Sequence, residues 1–82
     1  MIDEALVQKE FKTIRENLDL TQTKFGQRLG LTRQQIWNIE HGHTKLSKAQ
    51  MLAIFYILIS SPKGEDIFDY LYSKARKETE QC

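Results

Sequence analysis

The apolar residues of this chain recur three and four positions apart, and that spacing constrains the fold more than any other feature. Val7, Phe11, Ile14 and Leu18 line one face of a helix, with Asp3 standing ahead of them as an N-cap residue. Thr21 offers a second cap hydroxyl, Phe25 and Leu29 follow four apart, and Gly30 suits the left-handed turn that ends a helix. Thr32 caps a third stretch, in which Ile36 and Ile39 face inward. Arg33, Gln34, Trp37, Asn38 and His41 fall on or near its opposite side, and Gly42 is its stop. A fourth helix begins at Ser47. Its run Ala53–Ile59 is apolar nearly all round, so it is either covered on two sides or partly buried by another chain. Ser-Ser-Pro-Lys-Gly at 60–64 breaks the chain, and Ile67, Phe68, Leu71, Tyr72 and Ala75 mark a fifth amphipathic helix.

No segment reads as a strand, so the spacing predicts an all-α fold of five short helices. At 82 residues a second core has no room, and residues 1–76 are expected to form one compact domain followed by a charged tail, 77–82. With 40% hydrophobic residues, 28% charged and a single proline, the chain has the composition of a folded domain and not of a disordered one. The run Ala53–Ile59 is far shorter than the roughly 20 residues of a membrane span, and the Met-Ile-Asp-Glu start is acidic where a signal peptide is basic. A cytoplasmic protein without membrane contact is expected. The one cysteine, Cys82, leaves no intrachain disulfide and no four-cysteine zinc site.

Net charge is only +1, but it is unevenly spread. Residues 21–50 carry Lys24, Arg28, Arg33, Lys45 and Lys48 against Glu40 alone, a net +4, while the flanking segments are net −2 and −1. That basic segment contains the second and third predicted helices. Two short helices joined by a three-residue turn that opens on glycine cross at a fixed angle and project the second helix from the surface. Gly26 permits close approach of the two helices, Gly30 makes the turn, and β-branched Ile36 locks the second helix on the first.

The stretch Leu-Thr-Gln-Thr-Lys-Phe-Gly-Gln-Arg-Leu-Gly-Leu-Thr-Arg-Gln-Gln-Ile-Trp-Asn-Ile-Glu-His-Gly, residues 20–42, resembles the helix-turn-helix of the lambda-repressor-like, Xre-type regulators, which include phage repressors and Cro proteins. Leu-Thr-Gln, the turn Gly-Leu-Thr and Ile-x-x-Ile-Glu-x-Gly carry the likeness. It departs at Gly26, where the family often has alanine, and at Trp37, where a small or polar residue is commoner. The resemblance implies a lambda-repressor-like domain with its helix-turn-helix at the second and third helices, and double-stranded DNA as partner. It further implies that Arg33, Gln34 and Asn38 face base edges, with Thr32 and Gln35 near the backbone or flanking bases. The chemistry agrees: a guanidinium matches guanine O6 and N7, and an amide matches adenine N6 and N7. Without the turn motif, the same side chains would read as a solvated helix face.

Gln22 opens the second helix, where free N–H groups favour a phosphate. Lys24, His43, Thr44 and Lys45 are its expected companions at the DNA backbone, with simple solubility the equal alternative for each lysine. Trp37 fits a flanking DNA contact as well as a cover over the edge of the helix pair. Arg15 and Glu40 are implied to pair across helices, a structural role. His41 and His43 lack further ligands of fitting type, so no metal is expected. No nucleophile or carboxylate pair sits with a histidine in a catalytic arrangement, so neither an enzyme nor a cofactor is expected.

One such module buries only about 600–1,000 Å² on DNA, which points to a homodimer reading an inverted repeat. Tyr56, Ile57, Ile59, Ile67, Phe68, Leu71 and Tyr72 are the candidate interface. The competing reading has the fifth helix fold back over the fourth within one chain, and both can hold at once. The expected function is a sequence-specific, dimeric transcriptional regulator, a repressor. The rivals are the antitoxin of a toxin-antitoxin pair, with a protein partner on the fourth or fifth helix, and a helix-turn-helix-shaped interaction module that binds no DNA.

Overall fold

The computed structural model describes residues 2–80, and residues 81 and 82 of the expected tail, Cys82 among them, lie outside the described residues. Six helices succeed one another: α1 (Glu4–Lys9), α2 (Phe11–Asn17), α3 (Gln22–Leu29), α4 (Arg33–Glu40), α5 (Lys48–Ile59) and α6 (Gly64–Glu80). No strand occurs among the described residues. Three of the helices start on the cap residues anticipated above, and Ser47, expected as the first residue of a fourth, is its cap. The Asp3 carboxylate accepts from Leu6 N at 2.9 Å and the Thr21 hydroxyl from Lys24 N at 3.1 Å. Thr32 with Gln35, and Ser47 with Gln50, form reciprocal capping boxes that satisfy two orphan N–H groups each. Gly30 and Gly42, at φ 71° and 74°, supply the left-handed residues that end the helix-turn-helix pair.

The first predicted helix is two. At Glu10 the backbone swings to φ −98°, ψ 10°, which separates α1 from α2. Periodicity conceals this bend because the hydrogen-bond ladder passes through it: Glu10 N reaches Leu6 O at 3.0 Å and Ile14 N reaches Glu10 O at 2.8 Å. Val7, Phe11 and Ile14 thus stay on one buried face. The Glu10 carboxylate, itself buried, accepts the Tyr70 hydroxyl of α6 at 2.6 Å.

The core runs through every helix, from Val7, Phe11 and Ile14 through Phe25, Ile36 and Ile39 to Met51, Ile54, Leu58, Ile67 and Leu71. Phe11 and Phe25 meet at 5.2 Å between ring centroids, which seats α3 on α2. Helix α6 folds back on α5 within the chain. This corrects the expected dimer surface in part: Ile57, Ile67 and Leu71 are buried in their own core, and Phe68 is half-buried, tilted against Phe55 at 5.6 Å. Tyr56, Ile59 and Tyr72 remain on the surface, at 72%, 75% and 62% exposure. The return is possible because Gly64 has no side chain, since a Cβ there would stand 1.6 Å from Leu58 O. Helix α6 also continues through Lys77 to Glu80, positions expected to belong to the tail. No helix among the described residues is long and apolar enough to cross a membrane.

Candidate nucleic-acid interface

Helices α3 and α4 pack closely because Gly26 sits under the turn that joins them. Its carbonyl accepts from Leu31 N at 2.7 Å. A Cβ on Gly26 would approach Leu31 O to 2.5 Å and Ile36 Cγ1 to 3.4 Å. The close approach anticipated from sequence is therefore chiefly to the turn backbone, and only then to the second helix. Fully buried Ile36 and nearly buried Ile39 hold the inner side of α4 against the core, which turns its other side outward.

On that outer side, Arg33 and Gln34 are exposed and Asn38 is half-buried. The Gln34 amide donates to Asn38 Oδ1 at 3.1 Å, so the two amides form one row at the i, i+4 spacing. Arg33, Trp37 and His41 form the neighbouring row. Arg33, Gln34 and Trp37 together line an open cleft on the surface. Trp37 is 37% exposed, and its ring stacks on His41 at 3.8 Å and on His43 at 5.4 Å, with planes within 16°. His41 Nδ1 lies 2.9 Å from Trp37 O, which fixes the stack to the helix end.

Other candidate residues are engaged in the fold. The Thr32 hydroxyl and the Gln35 amide are both used in the capping box of α4. The side chain of Gln22, the residue at the helix start expected to favour a phosphate, donates to Glu40 Oε1 at 3.2 Å. The cause is an acid left by α4 beside the start of α3. Glu40 Oε2 accepts from Arg15 Nε at 2.7 Å, and Arg15 also donates to Leu20 O at 2.9 Å. With side chains only 12% and 2% exposed, the pair is withdrawn from the surface. The one acid of the basic segment is thus neutralised internally, and Lys24, Arg28, Arg33, Lys45 and Lys48 stand exposed without it. Lys24 lies in a separate shallow groove with Leu20, Gln27 and Arg28, not in the cleft beside Arg33.

The loop after α4 holds His43, Thr44 and Lys45, all exposed. Its order comes from Gln8, a residue that sequence reasoning passed over. The Gln8 amide donates to Ile39 O at 3.1 Å and to Thr44 O at 2.6 Å, and its oxygen accepts from Leu46 N at 2.9 Å. His43 N adds a bond to Asn38 O at 2.8 Å. Gln8 carries no local signal, because its partners lie 31 to 38 positions away. The assembled surface is a rigid helix face with one guanidinium and two amides, flanked by exposed lysines. Such a set offers bidentate hydrogen bonding to planar acceptors, with a surrounding positive field.

Residues 11–55, more than half of the chain, match the family described as Helix-turn-helix. No curated protein and no solved structure matches the chain.

Proposed function

The chain belongs to the Xre-type, lambda-repressor-like helix-turn-helix family of DNA-binding regulators, and from that premise we propose that it is a repressor binding an inverted-repeat operator as a homodimer. The observation that carries this reading is the outward side of α4, where Arg33, Gln34 and Asn38 stand together on a helix anchored by Ile36 and Ile39. In the major groove of B-form DNA, Arg33 takes guanine O6 and N7, and Gln34 and Asn38 take adenine N6 and N7. Each good pair contributes about 1–3 kcal/mol of discrimination. The N–H groups at the start of α3, with Lys24, and the loop residues His43, Thr44 and Lys45 hold the sugar-phosphate strands. Thr32, Gln35 and Gln22 serve indirectly, by setting the helix ends.

Dimerisation is supported by the apolar stripe that α5 leaves outside: Leu52, Tyr56 and Ile59, spaced four and three apart and more than half exposed. A two-fold pair of chains sets two copies of α4 about 34 Å apart, one turn of duplex. Selection of bound sites from random duplex DNA at fixed salt tests the reading. An enriched palindrome with half-sites one turn apart is expected. Binding that prefers no sequence over random polymer rejects operator recognition, and an enriched single half-site rejects the dimer.

A further inference from the structure

We infer that Trp37 is a specificity residue that receives a thymine C5-methyl group in the cleft it shares with Arg33 and Gln34. This rests on the reading of α4 as the helix that enters the major groove. Three features of the site lead to it. First, the indole is not a core residue: it is 37% exposed while its neighbour Ile36 is fully buried, so it faces away from the packing that holds α4. Second, it is held still. His41 stacks on it at 3.8 Å and His43 at 5.4 Å, both nearly coplanar, and His41 is bonded to the Trp37 carbonyl. Trp37 itself lines the cleft beside Arg33 and Gln34, so apolar ring surface is open to a ligand there. Third, the cleft's other walls are Arg33, which only donates hydrogen bonds, and the Gln34 amide.

A donor wall beside an apolar surface is complementary to an acceptor beside a methyl group. Among base edges in the major groove, thymine alone offers that pair, O4 next to the C5-methyl. Cytosine turns an amino donor toward the guanidinium and has no methyl for the indole. A sugar-phosphate strand gains little from apolar ring surface and is better served by Lys45, exposed on the adjoining loop. Arg33 and Trp37 are one helical turn apart, a rise of about 6 Å. The thymine therefore lies one or two base pairs from the guanine that Arg33 takes, and of the five guanidinium N–H groups one not used on guanine reaches its O4.

Deoxyuridine differs from thymidine by the methyl group alone, so it isolates this contact. Sites selected with the full chain from random duplex are resynthesised with deoxyuridine at one thymine position at a time, and binding is measured at fixed salt. At one position per half-site the wild-type chain is expected to lose about fourfold in affinity, the value of one buried methyl group. Trp37→Ala is expected to bind thymine and deoxyuridine alike at that position. Equal binding of every deoxyuridine site by the wild-type chain overturns the inference, and that arm requires no variant to fold. Sensitivity retained in Trp37→Ala, or an equal loss on all sequences in that variant, also overturns it. Failure of the underlying reading looks different: no sequence is enriched at all, and both fall together.

Discussion

At the scale of single residues, the surface of α4 separates side chains that are free to bind from those the fold has used. The Arg33 side chain makes no hydrogen bond or ion pair among the described residues, whereas the side chains of Gln35 and Gln22 are committed to a cap and to Glu40. Arg33→Ala is expected to leave the melting temperature unchanged and to relax base preference at one position per half-site, costing about 1–3 kcal/mol there. Site selection with the variant checks this; an unchanged preference rejects the assignment. Lys45→Ala should weaken all sequences alike and reduce the slope of log K against log salt by about one unit. A third residue reports on the fold. The Tyr70 phenol is pushed above its ordinary value by its hydrogen bond to Glu10, then by partial burial and by the negative charge of that carboxylate. The folded chain therefore keeps the Tyr70 proton to a higher pH than the unfolded chain does. Its contribution to stability is complete below about pH 10 and is lost as pH rises through the raised value. Urea midpoints on either side of pH 10 should show a fall that Tyr70→Phe reduces. At neutral pH the Tyr70 variant should lose about 1 kcal/mol, the worth of one hydrogen bond.

At the scale of elements, α6 depends on a single absent side chain. Gly64→Ala forces a Cβ into the Leu58 carbonyl, so α6 must lift from α5 and expose Ile67 and Leu71. A loss of about 3 kcal/mol or more is expected, at the upper end of overpacking costs, read as a lower denaturation midpoint. A melting curve like that of the unaltered chain would show that the contact relaxes cheaply. The sequence does not announce Gly64, which reads as one more residue in a chain break. Its importance depends on a carbonyl supplied by another helix. The same division runs through the whole fold. Asp3, Thr21, Thr32 and Ser47 were legible because a cap acts on an amide three residues away, within reach of pattern reasoning. The bend at Glu10 was not, since it leaves both the spacing of apolar residues and the ladder intact. Nor were the Tyr70–Glu10 bond, across 60 positions, or the bonds of Gln8. On α6, periodicity marked an apolar stripe, but a stripe does not say what covers it. Ile67 and Leu71 are taken up within the chain, and Tyr72 is left open.

At the scale of the whole molecule, the charge and the apolar surface are segregated. The basic segment lies on α3, α4, the loop after them and the first residue of α5, Lys48, while the large exposed apolar stripe lies further along α5. On the proposed reading, that division gives duplex DNA one surface and a second copy another. Ile59→Asp places a charge on a residue 75% exposed, so the monomer should keep its stability within about 0.5 kcal/mol. Sedimentation should show monomers where the unaltered chain gives dimers, and operator affinity should fall steeply, with half-site affinity unchanged. Dimers persisting in the variant would move the interface away from α5.

Gln8 carries a consequence for how the protein is handled. By tying Thr44 and Leu46 to α1, it makes the loop lose its freedom once, when the chain folds, so that no further entropy is spent on it at each encounter with a ligand. An amino-terminal fusion tag pressed against α1 would be felt 36 residues downstream of Gln8, at Thr44, with both helices of the motif untouched. Weak binding by such a tagged protein would then reflect a slackened loop and not a poor choice of duplex.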